Sequence, residues 1–563
     1  MTLMSTLKSG GGPDGAGIKT GSAVRIGPMD PLAEADVAAG GRAVRGSAQD
    51  MYFFTSIEDF PPGIGDLSLT HDDTGGFYNY VKQFNTPNGW YRDGSVGQWI
   101  YQETFDNYLD DYGFDSARVV YHSGHGDMSA AGVFSIPVGN DWGGDHWTSS
   151  NDMRLGNEYA RYVFWSTCLS LRVKGGHTPI RTWAAANLGL RMIFGYETVS
   201  VDDGRYGRLF FEEWNKNKSL SSAFLDASWR ISSRQEPSVV ACGATQSEAS
   251  GRAFNERFFE GTPANTSWWW WRWYDAARMR SPNLRLPARL VSARLAPPLE
   301  SIRGLADRFG LSLPGDAGAG DLQRGASFEG SSNLRLAIGP DGSREIALAE
   351  TSDSPQQLAA AEAVRVARGA VEEYGLADEI DLILDHTRFD RQAGGSADDL
   401  IDESVRETTV VFTQVIDSLP VVTPGSGFLQ VRVDNEGTVT GIADTTLRVA
   451  DLRDHPPSPP DPNARRRDSS PRENTGDPSG GAEVTGRDGT IVDELLVGAL
   501  QHRLRRVAAS GRVPQDVRVV PNSSEIGYAL RDGDAVVVAR QEVEVDFGQG
   551  LAKRYVVEAP VLA

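Results

Sequence analysis

The strongest constraint on the fold is a pair of short apolar blocks, each of which ends at a chemically reactive residue. The first block reads VVYHSGHG at residues 119–126, and the second reads YVFWSTC at residues 162–168. Runs of β-branched and aromatic residues of this length are typical of buried strands. The ends of neighbouring strands in an open parallel sheet are where ligands and chemistry gather. We therefore expect His125 and Cys168 to meet at such an edge.

A thiol beside an imidazole can act as a nucleophile with its general base. A single cysteine at a strand end is usually a small buried hydrophobe, but the His-Gly strand end that precedes Cys168 favours a catalytic role. The residues after Cys168 are expected to begin a helix whose N-terminus would favour the thiolate. Gly126 favours His125 over His122 as the base, because glycine lets the backbone turn and direct its N–H towards a substrate carbonyl. His122 is interpreted as a core or supporting histidine.

Two other roles for these residues remain open. His122 and His125, together with Asp145, His146 or His177, could ligate zinc, although this spacing matches no strong ligand motif. On a strand, an HxxH pattern also directs its two imidazoles to opposite faces. A disulfide between Cys168 and Cys242, the two cysteines of the chain, is the other alternative.

Three further candidates for binding follow from the sequence. Residues 268–274 read WWWWRWY, which indicates either an aromatic ligand platform or a segment packed over the core or against a small domain; we favour packing. Asp202 and Asp203 follow the next apolar strand. They either line a substrate pocket that favours a basic side chain or cap the following helix. Trp165 is a further candidate for that pocket.

Charge and hydropathy limit the partners. The net charge is -21 and the isoelectric point is near 4.9, which argues against a nucleic acid or an anionic membrane as the main partner. No apolar run approaches the roughly 20 residues of a membrane helix. The N-terminal residues have no apolar core typical of a signal peptide. These features predict a cytoplasmic protein, with export by another route left open.

The composition changes along the 563 residues, since all 13 tryptophans lie between Trp90 and Trp273. A chain of this length predicts several domains. The expected order is a flexible tail (1–50), an aromatic-rich domain (51–290), a linker (291–330), a small α+β module (331–452), a disordered linker (453–487) and a second small α+β module (488–563).

The first domain alternates strands and helices, which predicts an α/β fold with a parallel sheet between helices. Ser219 is the predicted N-cap of one helix. In the small modules, Ser354 and Pro355 are expected to open a helix. Residues 434–437 are expected to form a hairpin turn.

Residues 51–245 resemble the clan CD cysteine peptidases, the group of caspases, gingipains, legumain and bacterial CHAT proteases. The resemblance rests on the apolar blocks before His125-Gly126 and Cys168, and on the strand, acidic loop and two helices that follow. It implies a caspase-like α/β sandwich, with Cys168 as nucleophile and His125 as general base and acid. It also implies an oxyanion hole of the Gly126 and Cys168 amides, no third carboxylate and no cofactor. Thr167 departs from the small residue common before the cysteine, which leaves a divergent or inactive site open.

Residues 331–452 resemble the propeptide modules of thermolysin and fungalysin precursors and their PepSY relatives. This likeness lies in the strand VVFTQVIDSLPVV at 410–422 and the LQVRVD hairpin strand at 429–434. Such modules inhibit a neighbouring peptidase or assist its folding. They usually precede the peptidase, whereas here the module follows it.

These observations predict a cysteine endopeptidase acting on a protein or peptide, with C-terminal modules that contact the catalytic domain and regulate it. Cleavage at 311–330 or 453–487 would separate the modules. The alternative is a catalytically inactive caspase-like fold that serves as a protein- or ligand-binding module, in which Cys168 would be unreactive. A metal hydrolase is a third hypothesis.

Overall fold

The computed structural model of the protein describes residues 22–24, 28–32, 51–278, 286, 291–296, 302–313, 325–330, 334–339, 341–378, 380–454, 487–509, 514–531 and 533–561. In these parts the chain is mixed α/β, with a large mixed sheet and nine helices. The α/β class predicted from the sequence is confirmed at this level.

The strands up to residue 278 include those expected at the apolar blocks 119–126 and 162–168 and the apolar strand before Asp202, together with short strands that the sequence did not predict. They are β1 (Ser22–Val24), β2 (Tyr52–Ser56), β3 (Gly89–Arg92), β4 (Val119–Ser123), β5 (Asp127–Met128), β6 (Phe134–Pro137), β7 (Trp147–Ser149), β8 (Tyr162–Ser166), β9 (Met192–Tyr196), β10 (Pro237–Gly243) and β11 (Trp268–Arg278).

Six α-helices connect these strands: α1 (Thr70–Val81), α2 (Asp106–Tyr112), α3 (Pro179–Trp183), α4 (Tyr206–Trp214), α5 (Leu220–Trp229) and α6 (Gln246–Asn255). Ser219 caps α5 as predicted, because its hydroxyl accepts a hydrogen bond from the Ser222 amide at 3.3 Å. Such a cap satisfies one of the backbone amides that a helix start leaves unpaired.

The centre of the first domain is a run of parallel strands in the order β9-β8-β4-β2-β3. All five residues of β2, β4, β8 and β9 are buried, because side chains from both faces of the sheet enter packed cores. Near-continuous apolar runs are typical of parallel strands covered on both faces. Beyond β9 the sheet becomes mixed, since β10 and β11 are antiparallel to their neighbours.

The remaining strands are β12 (Val291–Ala296), β13 (Ala326–Glu329), β14 (Arg335–Ile338), β15 (Arg344–Ala347), β16 (Asp381–Gly395), β17 (Leu400–Ile416), β18 (Leu419–Pro420), β19 (Phe428–Asp434), β20 (Val439–Asp444), β21 (Arg448–Asp454), β22 (Asp516–Val519), β23 (Glu525–Arg531), β24 (Asp534–Gly548) and β25 (Leu551–Pro560). The helices are α7 (Ile302–Arg308), α8 (Ala360–Glu373) and α9 (Arg487–Ala509).

The tryptophan-rich strand joins the first domain to the small module that follows it. β11 pairs with β10 on one side and with β16 on the other, so a single sheet of sixteen strands runs through both units. Trp269, Trp271 and Trp273 are at most 3% exposed, and Trp270 is 8% exposed. The segment therefore packs against a small module, and its buried rings offer no open aromatic platform.

The segments predicted as a tail and as a linker both contribute strands. β1, from the predicted tail, pairs with β13, and β13 lies in the predicted linker 291–330. β12, from the same linker, pairs with β21 and β24 in a six-stranded sheet that also contains β22, β23 and β25. Strands of three to six residues that extend an existing sheet edge leave little trace in composition. Residues 455–486, most of the predicted disordered linker, lie outside the described residues.

Two local predictions for the small modules have different outcomes. The turn at 434–437 connects β19 and β20 as expected, with Gly437 at a φ of +80°. The helix predicted to open at Ser354 instead begins at Ala360, with Ala359 as its N-cap. In the parts of the chain that the structure describes, no helix is both long and apolar enough to cross a membrane.

Candidate active site

The parallel pairing of β4 with β8 brings His125 and Cys168 to the same edge of the sheet. Ser123, the last residue of β4, is in register with Ser166, the last residue of β8, and each reactive residue follows two positions later. A Cβ atom added to Gly126 would lie 2.8 Å from the Cys168 carbonyl oxygen. The two loops therefore touch, and only glycine fits at residue 126.

The His125 ring is held in one orientation by a backbone carbonyl. Its Nε2 lies 2.6 Å from the Gly65 oxygen, and a carbonyl can only accept, so Nε2 carries the proton. The other nitrogen, Nδ1, is buried and has no hydrogen-bond partner among the described residues. Burial, assisted by the charge of Lys553, lowers the His125 pKa to about 3. The ring is thus neutral at physiological pH, with a bare lone pair on Nδ1.

Cys168 is completely buried, and its sulfur has four polar contacts, of which the longest is to the Ser200 carbonyl oxygen at 3.9 Å. The thiol Sγ donates to the Ala552 carbonyl oxygen at 3.1 Å, accepts from the Ser200 amide at 3.4 Å and lies 3.5 Å from the Ser200 hydroxyl. No helix starts directly after it, contrary to expectation. Instead Leu169 has a φ of +55°, a strained conformation for a branched residue, and the next helix begins at Pro179.

The site is covered by the end of the chain. β24 and β25 form an antiparallel hairpin, and the Phe547 ring lies 5.5 Å from the His125 ring, centroid to centroid. Phe60 packs on the same imidazole at 5.0 Å. Phe547 and Leu551 belong to the same hydrophobic cluster as the core under β4 and β8. The C-terminal module is therefore continuous with the core around His125 and Cys168.

Lys553 projects into the site beside Cys168. Its ammonium donates to the Ser200 hydroxyl at 3.1 Å, and it is 3% exposed. The Lys553 charge lowers the pKa of both His122 and His125, and it partly opposes the rise that burial causes in the Asp202 pKa. A single buried cation is thus electrostatically coupled to both imidazoles and to an acidic side chain.

The two acidic residues after β9 have different environments. The Asp202 carboxylate is buried, accepts from the Ser68 hydroxyl at 3.2 Å and lies 3.8 Å from the Arg503 guanidinium. Asp203 accepts from the Arg205 amide and pairs with its guanidinium at 2.7 Å. Asp203 therefore orders the turn before α4 but does not cap the helix, whose N-cap is Arg205 and has no side-chain hydrogen bond, and only Asp202 faces the covered site.

Trp165 does not line a pocket, which corrects the sequence-based assignment. It is fully buried, and its ring packs against Trp183 at 5.7 Å and Phe134 at 5.2 Å. Being on β8, its side chain alternates with those of its neighbours and enters the core under the sheet. No surface of this ring remains for a substrate.

His122 occupies a closed pocket in the core. Its Nδ1 lies 2.9 Å from both the Thr55 and the Tyr101 hydroxyls, and burial lowers its pKa to about 3. His125 shares none of these neighbours, so the two imidazoles do not converge on a metal. Within the described ranges, no group of three or more His, Cys, Asp or Glu residues is arranged to hold a metal ion.

Cys242 lies on β10, away from the candidate nucleophile, and both cysteines are free thiols. Its sulfur accepts from the Asn187 side-chain amide at 3.2 Å, and burial raises its pKa well above the ordinary value. The disulfide alternative is therefore not the state of the folded chain. Cys242 is instead an inert internal reference for the reactivity of Cys168.

Sequence reasoning missed several residues near His125 and Cys168 that are distant along the chain. Gly65 orients His125, and Ala552, Lys553 and Ser200 contact the thiol or its neighbour. Gly65 follows the run PPGI, a turn signal without chemistry. Ala552 and Lys553 lie more than 380 residues from Cys168, and no local pattern reports contacts over that distance.

A family model described as a domain of unknown function (DUF6345) matches residues 54–273. The match runs from β2 into β11 and includes both His125 and Cys168, but neither C-terminal module. No curated protein matches the chain.

Proposed function

We propose that this protein is a cysteine endopeptidase in which Cys168 is the nucleophile and His125 the general base and acid. The observation that supports the proposal is that both residues follow paired strands at one sheet edge, with the His125 Nε2 proton held by Gly65 and Nδ1 without a hydrogen-bond partner, Cys168 included, among the described residues. A backbone carbonyl here does what a carboxylate does in a triad, because it fixes the tautomer and the ring orientation. No third acidic residue is needed.

In the reaction, Nδ1 of His125 takes the thiol proton and the Cys168 sulfur attacks the carbonyl carbon of the scissile peptide. The carbon–nitrogen bond then breaks as His125 returns the proton to the leaving amine. Water, deprotonated by the same imidazole, hydrolyses the thioester and frees Cys168. The Gly126 and Cys168 amides would stabilise the oxyanion, and the contact between their loops supports this role.

The proposal extends to architecture and regulation. The parallel order β9-β8-β4-β2-β3, with the candidate residues after β4 and β8, supports a caspase-like domain related to the clan CD peptidases. Residues 331–452 would be a propeptide- or PepSY-like module, and the C-terminal modules would restrain the enzyme. The substrate would be a protein or peptide. We propose no nucleic-acid or membrane partner, no cofactor and a cytoplasmic location.

The test is alkylation of Cys168 by iodoacetamide between pH 5 and 9, with Cys242 as the internal reference. A buried thiol reacts only when the cover opens briefly, and the pH dependence then reports the pKa of the opened thiol. We expect wild-type Cys168 to react near neutral pH. His125→Ala should lower the pH 7 rate at least tenfold and move the profile towards the free-thiol pKa of about 8.5.

The matched control is His122→Asn, which retains an acceptor for Thr55 and Tyr101 and should leave the pH profile of Cys168 unchanged. If wild type and His125→Ala show the same profile, with a midpoint near 8.5, the peptidase proposal is wrong.

One observation favours a second function. Cys168 is fully buried under the C-terminal hairpin, as expected if the domain were an inactive fold that serves as a binding module. That hypothesis predicts an unreactive Cys168 and no effect of His125→Ala on any property of the protein except stability.

A further inference from the structure

The connection between β24 and β25 has a backbone built for close approach to the site. Gly548 and Gly550 have φ angles of +85° and +82°, which glycine adopts without strain, and Gln549 between them has a φ of +57°. A Cβ atom on Gly550 would lie 2.5 Å from the Asp127 carboxylate, and one on Gly65 would lie 2.5 Å from the Phe547 ring. Glycine at residue 550 of the turn and at residue 65 of the facing loop therefore allows the hairpin tip to pack closely against the rim of the site.

The strand after this turn is bound by backbone hydrogen bonds to the loop beside Cys168. The Arg554 amide donates to the Ser200 carbonyl at 3.1 Å, and the Asp202 amide donates to the Arg554 carbonyl at 2.8 Å. Val201 and Arg554 form a parallel β-bridge. Residues 200–202 thus capture an extended segment as an added strand does, through contacts that do not depend on its side chains.

The captured segment places a buried cation in a polar pocket near an acidic residue. Lys553 donates to the Ser200 hydroxyl, and its charge acts over a longer distance on the buried Asp202 carboxylate, which the Arg503 guanidinium approaches to 3.8 Å. A lysine is almost never buried to 3% exposure without such compensation. Ser68 donates to the Asp202 carboxylate at 3.2 Å and holds it in place.

We propose that residues Ala552–Arg554 are an internal inhibitor of the Cys168 site, and that the Ser200–Asp202 pocket which holds Lys553 accepts a basic side chain of the peptide ligand when the hairpin is displaced. The proposal rests on the proposed function only for its catalytic consequence. The binding pocket and the cover can be tested without any catalysis.

The orientation of the Ala552 carbonyl relative to the Cys168 thiol explains why the segment would inhibit the site without being cleaved. The Cys168 thiol donates to the Ala552 oxygen, so the sulfur faces a carbonyl oxygen, whereas cleavage requires a thiolate facing the carbonyl carbon. The Phe547 ring against His125 also excludes the water that hydrolysis needs.

The first experiment compares alkylation of Cys168 at pH 7.5 in full-length wild type, Gly550→Val and Gly533→Val. Gly550→Val places a branched side chain against Asp127 at a positive φ, which should displace the hairpin tip. Gly533 also has a positive φ, of +86°, but open space around its Cα, so its variant controls for backbone strain in the same module. We expect at least a tenfold faster reaction in Gly550→Val than in Gly533→Val. Equal alkylation rates in the two variants would contradict the proposal that the hairpin covers Cys168.

A second variant tests the pocket without altering the backbone. Lys553→Met retains the apolar stem and removes the charge, and it should also expose Cys168, by threefold or more. If Gly550→Val does not fold, Lys553→Met decides the outcome. Alkylation of Cys168 in Lys553→Met at the wild-type rate would then contradict the proposal.

The third experiment returns the inhibitor in trans. A synthetic peptide with the sequence of residues 545–558 is added to Gly550→Val, and protection of Cys168 is measured against a peptide with norleucine in place of Lys553. We expect the lysine peptide to protect at a concentration at least tenfold lower. Equal protection by both peptides would exclude a cation-selective pocket.

The two proposals can fail separately. If Cys168 is exposed in Gly550→Val but no peptide is cleaved, the proposal that the hairpin covers the site stands and the peptidase proposal is refuted. If wild type cleaves peptides as fast as Gly550→Val, the inhibitor proposal is refuted and the peptidase proposal stands.

Discussion

At the scale of single residues, the chemistry of the site depends on which nitrogen of His125 carries the proton and on which atoms surround the Cys168 thiol. The sequence predicted that His125 and Cys168 lie at strand ends, because an apolar run followed by a reactive residue is a pattern only a few residues long. It could not show that Gly65 fixes the His125 tautomer, since that carbonyl lies 60 residues away. Nor could it place Trp165 in the core, because a strand residue next to reactive ones faces either side of the sheet.

His122 gives a pH prediction at this scale. Its pKa is lowered to about 3 by burial, so the unfolded chain binds a proton near pH 6.5 that the native chain does not. Stability is therefore lost as the pH falls from about 6.5 towards 3, by about 2 kcal/mol between pH 7 and 5. We expect His122→Asn to lose about 2 kcal/mol less than wild type over that interval.

The measurement is urea unfolding at pH 7 and pH 5. Asp73, whose pKa burial raises to about 6, has the opposite pH dependence, but it is present in both proteins and cancels in the comparison. His502→Asn, at an exposed position of α9, is the control. An identical pH dependence in wild type and His122→Asn would show that His122 is not held neutral.

At the scale of elements, β11 shows what composition reveals and what it conceals. The tryptophan run was visible, and its packing against a small module could be favoured from the sequence. Its partner β16 could not be identified, because antiparallel pairing over more than 100 residues leaves no local pattern. Arg272, in the middle of the run, pairs with Asp390 on β16 at 2.5 Å, with both side chains at most 7% exposed.

This ion pair predicts a strong asymmetry between single and double variants. Arg272→Met leaves the Asp390 carboxylate buried without its main partner, which costs about 3–5 kcal/mol of unfolding free energy. Arg272→Met combined with Asp390→Leu should recover most of that loss. Chemical denaturation measures both.

The comparison pair is Arg531 with Glu558, which bridges β23 and β25 with an Arg531 side chain 55% exposed. Arg531→Met should cost less than about 1 kcal/mol. Additive losses in the Arg272 and Asp390 double variant would mean that the two side chains stabilise the junction independently.

At the scale of the whole molecule, the units read from the sequence are interleaved. The sixteen-stranded sheet takes β1 from the predicted tail, and the six-stranded sheet takes β12 from the predicted linker. The class of the fold and the central strands were predictable because burial on both faces leaves apolar runs. The interleaving was not, since short edge strands are specified by the partner they join.

Interleaving predicts that a cut between the modules does not release the hairpin that covers Cys168. β24 pairs with β12, and Tyr555 and Val557 share a core with the first domain. Buried aromatic and aliphatic side chains contribute about 1.5–3 kcal/mol each. After cleavage at a specific protease site inserted between residues 455 and 486, the two fragments should co-elute in size-exclusion chromatography. Alkylation of Cys168 should remain within twofold of the uncut protein.

Separation of the fragments with an immediate rise in Cys168 reactivity would contradict this account. It would favour the sequence-based hypothesis that cleavage in a linker separates the modules. The control is the same insertion left uncut, which isolates the effect of the cut from that of the inserted residues.

The most direct test of the central claim is peptide hydrolysis by Gly550→Val, followed by mass spectrometry of an unstructured peptide mixture rich in lysine and arginine. The account predicts cleavage that wild type shows at least tenfold more slowly and that disappears in Gly550→Val/Cys168→Ser. A Gly550→Val protein whose Cys168 is freely alkylated, yet which cleaves no peptide, would contradict the assignment of Cys168 and His125 as a catalytic dyad.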